Sequence, residues 1–258
     1  MRTIAGRAAD TLGRLIAVTA RALDRGLDGL GVAPPALDLP PDVRDDLRVF
    51  FGPTIDPAAV MIRRGHVPGV PHPRAFALPG LIYLGADPGV VGTAAEGIDR
   101  PRATPTLVHE LVHVWQGRVI GPRYVVVALA EQARMGRRAY DWRAVLDNAV
   151  LDNAVLDNAV LDNAVLDNAV LDGASLDRAS DDRSPQDRAS HDRAHIERTP
   201  RAFPVEAHAQ LVSDAYALRF GFTPVTASAT PSRELQAMEE ALTGLRAGRA
   251  PTLRGRAV

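Results

Sequence analysis

Thr104-Pro105-Thr106-Leu107-Val108-His109-Glu110-Leu111-Val112-His113-Val114-Trp115-Gln116-Gly117 is the stretch whose reading decides the fold. Thr104 is a suitable N-cap, and Pro105 fits the first helical position, where its missing N–H costs nothing. Gly117 follows the last periodic residue and is expected to stop the helix. Between these ends, Leu107, Val108, Leu111, Val112, Val114 and Trp115 surround a single polar stripe of His109, His113 and Gln116. The segment therefore reads as a buried core helix.

Positions i and i+4 of a helix lie one above the other, so both imidazoles can present a nitrogen to one ion. Glu110 is offset by roughly 100° around the axis, which suits a general base acting on water at the metal and not a third ligand. This is the HExxH pattern of zinc-dependent hydrolases. A catalytic zinc takes three protein ligands, so one must come from elsewhere in the chain.

The best candidate is Glu206, in Phe203-Pro204-Val205-Glu206-Ala207-His208-Ala209-Gln210-Leu211-Val212-Ser213-Asp214-Ala215-Tyr216. Pro204 marks a helix start, and Ala207, Ala209 and Ala215 allow the close approach to the first helix that a short Glu ligand requires. Gln210 and Asp214 follow at i+4 and i+8, as candidate partners that orient the ligand histidines. His208 is the rival ligand, although its i+2 offset points it away from Glu206. His66 and His72, in a loop rich in Pro and Gly, are weak candidates.

HELVHVWQ, the segment Ala139-Tyr140-Asp141-Trp142, and FPVEAHAQLVSDAY resemble a bacterial family of HExxH metallopeptidase domains encoded beside contractile injection systems and polymorphic-toxin loci. The resemblance covers about residues 40–142 and 200–222. It implies an α+β, zincin-like fold, mostly helical with a small sheet, with one catalytic Zn2+ on His109, His113 and Glu206 and with Glu110 as the base. The chain departs from the pattern in the length between Trp142 and Phe203. It departs again at Gln210, where better-known peptidases with a Glu ligand carry Asp. In zincins an edge strand above the active-site helix pairs with the peptide; Leu81, Ile82, Tyr83 and Leu84 are the candidate here by resemblance, and the run reads equally well as a core strand. Tyr140, Tyr216 and His208 are candidate oxyanion stabilisers that no spacing rule separates.

The expected activity is hydrolysis of a peptide or protein substrate by metal-activated water. The competing reading is a catalytically inactive zincin-like scaffold or effector module, with a partner in a bacterial secretion or toxin system.

Leu-Asp-Asn-Ala-Val repeats five times from Leu146 to Val170, then decays to Ile196-Glu-Arg-Thr-Pro200. A period of five builds no apolar face on a helix and flips sides in a flat strand. Ala two places before Leu matches the pentapeptide-repeat pattern of a four-sided β-helix, but the usable pentads make fewer than two coils. We expect a surface insert over 143–199, loosely helical or disordered. His191 and His195, four apart within it, read as a by-product of repeat decay.

The remaining divisions are an N-terminal amphipathic helix and Pro-rich linker over 1–40, a metallopeptidase domain over 41–142 and 200–222, and a C-terminal helix with a flexible tail over 223–258. Pro41–Phe51 carries a helix signal and Val60–Arg63 a strand signal. Leu12, Leu15, Ile16, Thr19 and Leu23 form the stripe by which the first helix should dock; its basic character also allows a membrane surface.

With 30 basic and 31 acidic residues the net charge is −1, which argues against nucleic acid. No Cys is present, so any zinc site must use His and carboxylate. Arginines and aspartates interrupt residues 1–30, leaving no h-region for a cleavable signal peptide, and the longest apolar run, Tyr124–Ala130, is too short for a transmembrane segment. The expected location is cytoplasmic, or outside the cell by a route without such a peptide.

Overall fold

The computed structural model describes residues 4–67, 74–92, 100–148, 201–222, 231–249 and 252–253. The expectations for His72, the pentads beyond Asn148, His191 and His195 lie outside them. The fold is a mostly helical α+β arrangement with small sheets, and it divides into two compact units. One comprises Met1–Trp142 and Phe203–Pro251, the other Arg143–Ala202 and Thr252–Val258. In the second, β6 (Arg201–Ala202) pairs antiparallel with β7 (Thr252–Leu253).

The first unit begins with α1 (Ile4–Gly29), α2 (Pro41–Phe51) and β1 (Met61–Arg63). Pro41 opens α2 and Gly52, at φ 66°, closes it; the helix buries Val43, Leu47, Phe50 and Phe51. β2 (Phe76–Leu78) turns through Pro79 and Gly80, the latter at φ 78°, into β3 (Leu81–Tyr83). That positive φ is the conformation glycine supplies without a Cβ penalty.

The expectation of a substrate-pairing edge at Leu81–Leu84 is corrected here. β3 is the centre of a three-stranded sheet, parallel to β1 on one side and antiparallel to β2 on the other. Leu81, Ile82, Tyr83 and Leu84 are all buried, and the Leu84 N–H donates to the Arg63 carbonyl. With both sides bonded, β3 has no ladder to offer a peptide.

The docking face of α1 also differs from expectation. Leu12, Leu15 and Leu23 are 48 %, 62 % and 47 % exposed, and Thr19 is exposed as well. Of the expected stripe Ile16 does pack on the core, but the inward face runs through Asp10, Gly13, Ala17, Ala20, Asp24 and Leu27, at the alternating spacing of three and four that keeps one side of a helix in line. Two contacts decide this. Gly13 lies so close to the Pro122 carbonyl that a Cβ would fall 2.1 Å from its oxygen. Asp24 accepts from Arg63 Nε at 3.0 Å, from Arg63 Nη2 at 3.1 Å and from the Tyr83 hydroxyl at 2.6 Å. Burial works against that carboxylate, yet the hydrogen bonds from Arg63 and Tyr83 hold its pKa below the usual value.

After the two-stranded β4 (Val90–Val91) and β5 (Arg102–Ala103) come α3 (Pro105–Val119), α4 (Arg123–Met135), α5 (Val205–Phe220) and α6 (Pro231–Arg246). Gly117 does not end α3, which runs two residues further to Val119 with Ile120 as its cap. Gly117 serves packing instead: a Cβ there would lie 2.9 Å from Cε1 of Tyr124 on α4. Met238, Leu242 and Leu245 bury the inner face of α6. Among the described residues, no helix is long and apolar enough to cross a membrane.

Candidate metal centre

Thr104 begins α3 as expected. Its hydroxyl accepts from the Leu107 N–H at 3.1 Å and donates to Asp87 Oδ1 at 2.7 Å, which ties the helix start to the preceding loop. All ten residues from Leu107 to Gln116 are buried, so the polar stripe lies inside the protein.

α5 has no side-chain cap of its own. Glu131 of α4 provides one, accepting from the N–H groups of Val205 and Glu206 at 3.2 Å each. A carboxylate at a helix N-terminus is where orphan donors and the helix dipole favour it. Gln132, the next residue, donates its amide N–H to Glu206 Oε1 at 2.7 Å. Ser213 adds a bond to the Pro105 carbonyl at 2.7 Å, fixing α5 along α3.

His109, His113 and Glu206 converge, all buried, into a group that could hold a metal ion. Glu206 Oε2 lies 3.3 Å from Nε2 of each histidine, and the two Nε2 atoms lie 3.1 Å apart. Ligands about 2.0–2.1 Å from a tetrahedral zinc ion stand roughly 3.3 Å from one another, so this triangle fits one face of such a shell.

The proton positions agree with that fit. Gln116 gives its amide N–H groups to the Val205 carbonyl at 2.9 Å and to His208 Nδ1 at 3.3 Å, so its oxygen is what faces His113 Nδ1, at 2.8 Å. Nδ1 of His113 must then carry a proton, which leaves Nε2 as the nitrogen that can take an ion alongside His109 and Glu206. Three electron-rich atoms meeting in a buried space call for a cation.

With no ion bound, the electrostatics favour a proton on His113. Burial opposes charge on His113, but the Glu206 carboxylate outweighs it and raises the pKa to about 9. Burial lowers His109. Burial would raise Glu206, yet the charge on His113 and the bonds from both histidines hold it well below the carboxylate range. Glu110, 5 % exposed, has an Oε2 with no hydrogen-bond partner, and burial pushes its carboxyl up to about 8.

The other candidate residues separate in space. The Tyr140 ring lies beside His109, centroids 5.7 Å apart, with the Arg74 guanidinium 5.6 Å from the Tyr140 ring centre. His208 sits behind the ligands against Trp115 at 5.6 Å and bonds to Gln116; burial and the two ligand histidines push it down to about 3, so it is neutral. Asp214 accepts from Trp142 Nε1 at 2.9 Å and from Gln210 Nε2 at 2.8 Å, anchoring the residue where the chain leaves this unit. Tyr216 packs against Phe50 and Phe220, at 5.1 and 4.5 Å, and is not brought to the metal ligands. His66 lies against Gly85 and outside the ligand group.

Sequence reading passed over Glu131 and Gln132. They stand in an unremarkable amphipathic helix, and only the approach of α4 to the start of α5 gives them a task.

The pentapeptide-repeat family matches residues 144–180, in eight copies. This is the tract read as tandem pentads, and it excludes every residue of the metal centre. No curated protein and no solved structure matches the chain.

Proposed function

We propose that the protein is a zinc-dependent peptide hydrolase. The observation that carries this reading is the triangle of His109, His113 and Glu206 at tetrahedral ligand spacing, with Glu110, whose Oε2 has no hydrogen-bond partner, on the helix that bears both histidines. Zinc, when bound, supplies a Lewis acid that polarises the scissile carbonyl and lowers the pKa of water. Glu110 takes a proton from the attacking water and delivers it to the leaving amine, a role suited to a carboxyl whose pKa is raised toward neutrality. Gln116 and Gln132 hold His113 and Glu206 in place. Tyr140, whose ring lies beside His109, is the candidate donor to the developing oxyanion.

The test combines metal analysis with turnover of an unbiased peptide library. Wild type should hold one zinc per chain and cleave; Glu110→Gln should keep the zinc and lose roughly 10²–10⁴-fold in rate. Equal activity in that variant would sink the mechanism.

One observation favours the second reading, a metal-stabilised scaffold without turnover: His109, Glu110 and His113 are only 8 %, 5 % and 5 % exposed. Stoichiometric zinc with no cleavage of any library peptide, by either protein, is the result that selects it.

A further inference from the structure

α1 has a second apolar side that the fold leaves uncovered. Leu12, Leu15, Leu23 and Leu30 recur at the spacing of one helix face and its continuation, and Leu30 is 78 % exposed. Val18, 66 % exposed, widens the stripe toward Arg7, Arg14 and Arg25, all of them exposed, while Arg21 donates to the Pro79 carbonyl. Two of the acids are placed the opposite way: Asp10 and Asp24 are each 7 % exposed on the docked face, whereas Asp28, in the last turn, is exposed and pairs with Arg63 Nη1 at 2.9 Å. Charge is thus partly sorted across one helix of 26 residues: Asp10 and Asp24 inward, and four leucines with Arg7, Arg14 and Arg25 outward.

We infer that this outward face of α1 docks on an anionic membrane surface. A helix lying in the interface buries its leucines at the boundary of the acyl chains while arginines beside them meet lipid phosphates. Charge complementarity selects this occupant: Arg7, Arg14 and Arg25 are exposed along the edge that Val18 shares with the leucines. The docking is peripheral, since no described helix can span a bilayer. It is independent of the metal centre, because none of these side chains contributes to the ligand group.

The experiment is co-sedimentation of the full chain with vesicles of phosphatidylcholine alone or mixed with phosphatidylglycerol, alongside sedimentation equilibrium without lipid. Wild type should partition onto the mixed vesicles roughly tenfold or more above the neutral ones, and added salt should weaken it. L15E and V18E change exposed positions and leave the docked face intact, so both should keep the wild-type circular dichroism and zinc content while losing most vesicle binding. Replacing Arg14 and Arg25 by Gln should reduce partitioning to the mixed vesicles selectively. The inference is overturned if wild type stays in the supernatant with both lipids, or if L15E binds like wild type. It is equally overturned by a dimer that L15E dissociates in the absence of vesicle binding, which would assign the face to a second copy. Binding that appears only after removal of residues 149–200 would assign it to the chain's own acidic pentads, and would overturn the inference for the intact protein.

Discussion

Gln132 donates to one oxygen of Glu206, at 2.7 Å to Oε1, and leaves the other, Oε2, facing His109 and His113 at 3.3 Å. The amide thereby selects which oxygen is free for an ion and fixes its direction. Partners of this kind are worth about 10–100-fold in metal affinity. Gln132→Ala should weaken zinc binding by that factor in a competition titration against a chromophoric chelator, with the helical circular dichroism unchanged. An unaltered affinity would remove Gln132 from the site.

The metal-free protein should lose stability as Glu110 ionises. Its folded pKa of about 8 stands above the unfolded value near 4.5, so between those values the native state binds more protons than the unfolded state. Stability from this group is complete below about pH 4.5 and declines as pH rises toward 8. Glu110→Gln has no such dependence. In urea unfolding with chelator present, the variant should exceed wild type by on the order of a few kcal/mol at pH 8.5 and by much less at pH 5. The opposite trend would mean that Glu110 is charged and compensated in the native state.

Two glycines of α1 should respond to alanine with opposite signs. At Gly26 a Cβ meets nothing within 4 Å, so Gly26→Ala should stabilise by roughly 0.5–1 kcal/mol, the usual gain inside a helix. At Gly13 the Cβ would meet the Pro122 carbonyl oxygen at 2.1 Å, and backbone cannot step aside. Gly13→Ala should cost about 1–3 kcal/mol. Thermal melts of the two variants compare them directly; a stabilising Gly13→Ala would place the docked face of α1 elsewhere.

Replacing residues 149–200 by a short flexible linker should leave the zinc stoichiometry at that of wild type. Trp142 and Phe203, at the two ends of the insert, are 1 % and 7 % exposed and belong to the same compact unit as all three ligands. Metal analysis and a melting curve of the shortened chain check this. Loss of zinc would make the pentads part of the site's support.

The helix bearing His109 and His113 was readable because its cap, its apolar flanks and its spacing are all local. Glu206 was readable for a different reason: zinc chemistry demands a third ligand, and the small residues beside Glu206 suit a close helix contact. What could not be read depends on which surfaces meet. The leucines of α1 form the stronger periodic signal, yet Gly13 and Asp24 set the docked side, through Pro122 and Arg63. Leu81–Tyr83 reads as a strand, but its central place follows from the partners at Met61–Arg63 and Phe76–Leu78. Gly117 looks like a stop because the ring of Tyr124, which it accommodates, arrives from another helix. Glu131 and Gln132 acquire their role only where α4 passes the first turn of α5.

The three ligands lie on both sides of the pentad tract in the chain, His109 and Glu206 being 97 positions apart. An ion bound by both is a cross-link that closes a long loop, and loop closure depends only logarithmically on length. One further pentad in such a loop changes the closure free energy by roughly 0.05 kcal/mol. Repeats can therefore be gained or lost by the unit while the affinity at the far ends of the loop stays nearly constant, so the metal centre places almost no selective limit on how many copies the tract carries.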